Sequence, residues 1–267
     1  MSTKLSQYLN KELLIKIVFY MGLVLIWQLI YYLCVDVLQI WKFYSFPSPI
    51  KVVQSFIYIV EDHTMGVALY VSLKRVVFGY GIAIILGFSI GALLSRLKLI
   101  AHPLRGLFLG LQTLPNISWL PFAILWFGLS EGSILFVIVI GSLFSIALGV
   151  DIGIRNINPL FLQAGRNMGA KGLSLYTNII ISASLPTVIG GMKQGWSFAW
   201  RGLIAGEMLA ASTGLGQVLM TGRELADINQ ITVIMIIIII IGVIVNKYIF
   251  GSIENKVLSV RGHTPRP

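Results

Sequence analysis

Charge is scarce in this chain, and acid is scarcer still. Of 267 residues only 11% are charged, ten of them Asp or Glu, whereas 57% are hydrophobic. A soluble domain carries nearer one quarter charged residues and uses them to cover its surface, so a soluble fold is not expected and lipid is the natural solvent. The single cysteine, Cys34, excludes an intrachain disulfide and a cysteine-based zinc cluster. His63, His102 and His263 lack the close spacing of a metal site. Also missing is Gly followed five residues later by Gly-Lys-Ser/Thr, the loop that cradles nucleotide phosphates, since Gly169-Ala170-Lys171-Gly172 has the wrong spacing. No Ser/His/Asp or Cys/His constellation points to an intramembrane hydrolase.

What the chain has instead is long apolar runs. Uncharged stretches able to cross a bilayer, which takes about 17–25 residues, occur at 17–35, 76–95, 106–130, 132–150 and 228–246. A sixth, 186–211, is apolar in bulk but carries Lys193, Arg201 and Glu207. The first run is followed by Asp36-Val37-Leu38-Gln39 rather than a small-residue cleavage pattern, so it reads as a retained helix. The expected fold is therefore all-α: a polytopic membrane protein with six transmembrane helices, one domain over 1–267. With six crossings, fourteen Lys and Arg fall on the side of the termini and five on the other, Arg201 lying within the membrane. The positive-inside rule then places both termini in the cytoplasm. The net charge of +10 follows from topology, and no nucleic-acid partner is needed.

Two connections stand out. Residues 36–75 form the longer external one, where Phe46-Pro47-Ser48-Pro49 favours an extended turn over helix. On the cytoplasmic side the segment 155–185 is too polar to span and too patterned for a slack linker. Pro159 can open a helix there, Leu160, Ala164, Met168 and Leu175 recur near helical spacing, and Gly169 and Gly172 interrupt it. The pattern predicts two short helices around a glycine bend, ending at Leu185-Pro186. In the spans, Gly79, Ala83, Gly87 and Gly91 stand four apart, as do Gly191/Gly195 and Gly202/Gly206, which lets helix backbones approach closely. Pro115 and Pro121 should bend the third span and border a cavity.

The stretch Leu162-Gln163-Ala164-Gly165-Arg166-Asn167-Met168-Gly169-Ala170, with Leu185-Pro186 after it, resembles the "EAA" loop of permease subunits of binding-protein-dependent ABC importers. Ser118-Trp119-Leu120-Pro121, Leu125-Trp126-Phe127-Gly128, Glu131, Ala199-Trp200 to Glu207-Met208 and Gly214-Leu215-Gly216 are similar to the nitrate/sulfonate/taurine branch, as are Phe46-Pro47-Ser48-Pro49 and Ser72-Leu73-Lys74-Arg75-Val76. The resemblance implies a coupling helix that docks in a groove of a separate ATPase subunit, carried here by Gln163, Ala164, Gly165, Gly169 and Ala170. Gln163 replaces the family's usual Glu, which puts any salt bridge from that position in doubt. It further implies an ATP-binding subunit, an external solute-binding protein and a second permease copy in a homodimer within a bacterial inner membrane, with ATP on the partner and no cofactor in this chain. Sulfonates, taurine or nitrate are the leading cargo; thiamine precursors or other small heterocycles are the alternative, and an ion-coupled secondary transporter ranks below both.

Charges within the fifth span cost about 2.5–3.5 kcal/mol each at mid-helix on insertion scales, so they must face protein or water. At about 100° per residue Gln194 and Arg201 lie about 20° apart with Ser197 near the same stripe, while Trp196, Trp200 and Glu207 fall on the opposite side. Arg201, helped by Gln194 and Ser197, is therefore a candidate to line the translocation path and grip an oxyanion. The alternative is an ion pair with an acid on a neighbouring helix, and Glu207 divides in the same way. Trp119 either faces the path or packs as an aromatic. Lys193, near the cytoplasmic end, can snorkel.

Overall fold

The computed structural model describes residues 2–97, 99–210 and 212–260, with only the backbone described in 2–13 and at 260. Lys98, Ala211, Arg261, His263 and Arg266 lie outside the described residues. Every regular element among the described residues is helical: α1 (Ser2–Tyr31), α2 (Pro49–Glu61), α3 (Thr64–Arg96), α4 (Ala101–Thr113), α5 (Leu120–Phe127), α6 (Glu131–Arg155), α7 (Pro159–Asn167), α8 (Gly172–Leu175), α9 (Ser182–Leu209), α10 (Leu215–Glu224), α11 (Ile228–Ile244) and α12 (Gly251–Val260). Wider π turns continue α1 to Val37, join α8 to α9 and join α11 to α12. Five of the resulting helices are long and apolar enough to cross a membrane, six if one bent pair counts as a span. The contacts group the chain into two compact units, one running through Gly66 together with Val218–Ile236, the other from Val67 to Gln217 and from Ile237 onward.

In the first unit the proline pair starts a helix instead of an extended loop. Ser48 is extended (φ −91°, ψ 132°), as a residue before proline must be, and Pro49 occupies the first turn of α2, where its missing N–H costs nothing. The extended stretch expected at Phe46–Pro49 stops at Ser48, and the rest of the 36–75 connection is largely helical: α2 buries Val52 and Ile59 one heptad apart, and α3 begins at Thr64, twelve residues before the apolar run. Trp27 Nε1 donates to the Pro47 carbonyl at 3.0 Å, and Ser48 N–H donates to Asn229 Oδ1 at 3.3 Å. Asp227 caps α11 by accepting from the N–H groups of Asn229 and Gln230.

The second unit is organised around α6, which is buried along most of its length. Glycine spacing dictates this packing. A Cβ at Gly79 would stand 2.8 Å from Ile138, at Gly87 2.7 Å from Ile146, and at Gly91 2.5 Å from the Ala147 carbonyl, so only a side-chain-free stripe lets α3 lie this close to α6. On the other flank Gly149 and Gly191 face each other, each Cβ position 2.7 Å from the other's Cα, and Gly195 and Gly202 continue the seam toward Ile146 and Val137.

Three sequence expectations need correction. The stretch 106–130 is not one continuous helix but a broken span or a re-entrant pair: α4 and the following helical turns diverge by 100°, with Leu114 and Pro115 both extended between them. Leu114 is excluded from the α region by the next proline, and Pro115 cannot supply a helical N–H, so the chain breaks rather than kinks. Second, the segment after the glycine bend is not a separate short helix; it is the first turns of a continuous helix from Gly172 to Leu209, and Pro186 sits inside it instead of at its start. Third, the last span runs on from Ile228 to Ser259.

Candidate functional site

The polar bend expected between the fourth and fifth spans is built from α7 and the base of α9. Asn158 Oδ1 accepts from Leu160 N–H at 2.9 Å and Pro159 takes the first turn, so the start of α7 is specified twice. Its end is a paired glycine cap: Gly169 adopts φ +89°, Ala170 N–H donates to the Gly165 carbonyl and Gly169 N–H to the Arg166 carbonyl. That pattern satisfies the last carbonyls of α7 and requires a left-handed residue, which explains the glycine. Gly165 is buried, and a Cβ there would meet Ile179 at 2.8 Å, so α7 is pressed against the helix leading into α9. Gln163, Ala164 and Gly169 are exposed and Ala170 half-buried. Beside them Phe161, Ala164, Met168, Ile179 and Ala183 border an apolar depression of about 540 Å³, and Leu160, Phe161, Met168 and Leu173 are exposed.

The charges of α9 part company as the helical angle requires. Gln194 and Arg201 are exposed and Ser197 half-buried on one face. Arg201 Nε donates to the Ser197 carbonyl at 3.0 Å, its guanidinium carbon lies 5.0 Å from the Phe198 ring centroid, and it has no ion pair among the described residues. Trp119 is half-buried and packs against Leu120, Ala123 and Val137. Glu207, on the opposite face, is fully buried and is not brought near this group.

Glu207 instead anchors a cluster that sequence reasoning missed. Arg75 Nη1 donates to Glu207 Oε1 at 3.0 Å and to the Thr213 carbonyl at 2.5 Å, while Nη2 donates to Glu131 Oε1 at 2.6 Å. Ser72 Oγ lies 2.8 Å from both Glu207 oxygens, sharing its one hydrogen, and accepts from Leu215 N–H at 2.9 Å; Gly216 N–H donates to Glu207 Oε2 at 3.0 Å. A Cβ at Gly214 would overlap the Glu207 carboxylate. The Gly214-Leu215-Gly216 motif is therefore the backbone cradle of a buried acid. Arg75 and Ser72, one turn apart, read from the sequence as part of the 36–75 connection because the uncharged run starts at Val76; their helical spacing just before that run is the signal that places them on α3.

A second missed pair joins α4 to α6: Arg105 donates from Nε and Nη2 to the two oxygens of the fully buried Asp151, at 2.5 and 2.9 Å. Asn116, in the break of the bent pair, wedges between Gly141 and Gly202 and donates to the Phe198 carbonyl at 2.5 Å. Lys193 pairs with Glu254 at 3.6 Å, both half-exposed.

The family of the binding-protein-dependent transport system inner membrane component matches residues 81–257. The chain belongs to this family. It is 31% identical over 178 residues, 66% of this chain and 67% of the relative, to a protein of Methanocaldococcus jannaschii provisionally named an ABC transporter permease. Over 214 residues, 77% of this chain and 78% of the other, it is 25% identical to the nitrate import permease protein NrtB of Synechocystis. A protein of Bacillus subtilis provisionally named the aliphatic sulfonates transport permease protein SsuC is 27% identical over 218 residues, 80% of this chain and 78% of that one. The matched region contains α7, its glycine cap, Asp151, Arg201 and Glu207. This membership, with the apolar helices, makes the protein a multi-pass membrane permease.

Proposed function

We propose that this permease works as one half of a homodimeric, ATP-driven importer of a small anion such as nitrate, taurine or another sulfonate. An external binding protein delivers the anion, and a separate subunit binds and hydrolyses ATP. α7 is the coupling helix, with Gln163 and Ala164 on its exposed side, and Gly165, Gly169 and Ala170 holding it to the foot of α9. The observation that carries the reading is that attachment: a capped helix pressed through a glycine against Ile179, which belongs to the continuous helix that reaches Arg201. Displacement of α7 by the ATPase would tilt α9 as a rigid lever.

Arg201 then sits on the open face of that lever with Ser197 and Gln194, able to grip a planar or tetrahedral oxyanion through two parallel N–H bonds. Glu207 takes the alternative role, an ion pair rather than a path residue, and Trp119 serves mainly as packing around the bent pair. The positive groups near α7, Arg155, Arg166 and Lys171, support a cytoplasmic position for that end and for both termini. Co-purification of the tagged chain from its native membrane tests the reading: an ATPase subunit should accompany the wild type and be lost on Gly169→Asp, which places a charged side chain at a left-handed position. Failure to recover any ATPase would overturn it.

A further inference from the structure

The Arg75 cluster is not symmetric between its two acids. Glu207 is fully buried and held by Ser72, Arg75 and Gly216, so it is a permanent counter-ion. Glu131 is two-thirds exposed (67%) and reaches Arg75 through one oxygen only. The guanidinium edge formed by Nε and Nη2 is the edge that binds oxyanions with two parallel bonds. Here Nη2 is occupied by Glu131, while Nε is buried without a hydrogen-bond partner among the described residues. Leaving a buried charged donor unmet is costly, and it marks a donor that a second oxygen would satisfy. Exposed Lys74 adjoins Arg75 in the chain. With Glu131 swung away, Lys74, Arg75 and Glu207 leave one net positive charge.

We propose that the Nε–Nη2 edge of Arg75 is an oxyanion site distinct from Arg201, and that Glu131 is its displaceable occupant. An arriving nitrate or sulfonate group exchanges one negative charge for another on Arg75, supplies the second oxygen that Glu131 does not, and frees Glu131 into solvent. The ligand class rests on the anion-importer reading above. On that reading Arg75, a residue of α3 held between Glu131 at the start of α6 and Glu207 near the end of α9, meets the anion on the external side before Arg201 does. Glu131 keeps the site closed to bulk water until a bidentate ligand displaces it.

The test uses the complete importer in lipid nanodiscs, in an Arg201→Ala background so that the exposed guanidinium does not contribute. Thermal stability is followed against sodium methanesulfonate, with ionic strength held constant by sodium chloride, whose spherical anion cannot span the edge. Glu131→Gln should lower the half-saturating methanesulfonate concentration by about tenfold, the scale of one charge-assisted hydrogen bond. Adding Arg75→Lys, which removes the planar edge, should abolish saturation. Because Arg75→Lys can simply misfold, Glu131→Asp serves as the second variant: it keeps the competing charge and should hold the wild-type half-saturation within about twofold, on that same electrostatic ground. Identical titrations for the parent and Glu131→Gln would overturn the site. ATP-driven uptake by the importer with native Arg201 is read separately. Uptake without a Glu131→Gln effect overturns this site alone, and the Glu131→Gln effect without uptake overturns the cargo reading and leaves the site standing.

Discussion

One helix, α9, presents two faces built by opposite rules. Its closed face carries Gly191, Gly195, Gly202 and Gly206, lies within van der Waals reach of α6, and ends in Glu207, whose carboxylate is met by a guanidinium, a hydroxyl and a backbone N–H. Its open face carries Gln194, Ser197 and Arg201, and there, among the described residues, a full positive charge is met by the Ser197 carbonyl and the Phe198 ring alone. In a low-dielectric setting the first arrangement consumes the carboxylate of Glu207 in holding helices together, and the second leaves the guanidinium of Arg201 without a counter-ion among the described residues. The difference teaches that one membrane helix can carry an ionisable residue with a full set of built partners and another with almost none, so that charge within a span does not by itself assign a role.

Substitutions should divide along the same line. The largest effect is expected on the closed face. Glu207→Ala strands Arg75 and the N–H of Gly216, and breaking a buried pair by removing one partner costs about 3–5 kcal/mol. The yield of monodisperse complex and its thermal midpoint should both collapse, and Arg75→Met combined with Glu207→Met should recover part of the loss. Next comes Gly191→Ala, whose methyl group would meet the Gly149 Cα at 2.7 Å and the Ser145 carbonyl at 2.9 Å. Overpacking of this kind costs about 1–3 kcal/mol. Gly190→Ala, one residue away with nothing within 4 Å, should be neutral or stabilising in the same melt. If the two alanines behaved alike, the seam would not be what holds α9 to α6.

On the open face, stability and transport should separate. Arg201→Ala should leave the melting midpoint unchanged while reducing uptake by about tenfold, the scale of a lost charge-assisted hydrogen bond. The smallest effect belongs to Lys193→Ala. Its pairing with Glu254 at 3.6 Å is half-exposed on both sides, and pairs of that kind contribute about 0–1 kcal/mol. A double-mutant cycle on Lys193 and Glu254 should therefore show little coupling, whereas the Arg75–Glu207 cycle should show several-fold more.

Much of this contrast was written in the residues. Small-residue spacing identified the seams, the 100° helical period placed Arg201 and Glu207 on different faces, and Pro159 with Gly169 marked the start and stop of α7. Partners across helices were not legible. Arg75 lies at the edge of an apolar run and Asp151 at the end of another, so each reads as a loop charge, and only packing of α3 and α4 on α6 reveals that both are buried or paired. The helix α2 was hidden because a proline read as a turn residue also suits a first helical turn. The 100° break escaped because two prolines six apart predict bending without its size, which the Leu114–Pro115 pair and the Asn116 wedge set together.

The claim that a free guanidinium on the open face of α9 handles the cargo is tested most directly by uptake. The full importer, with its binding protein, would be reconstituted in proteoliposomes and ATP-driven accumulation of radiolabelled taurine and of nitrate measured for wild type, Arg201→Lys and Arg201→Ala at matched protein content. The account predicts ATP-dependent uptake of at least one of these anions, reduced in Arg201→Lys and further in Arg201→Ala. Uptake unchanged in both variants would contradict it.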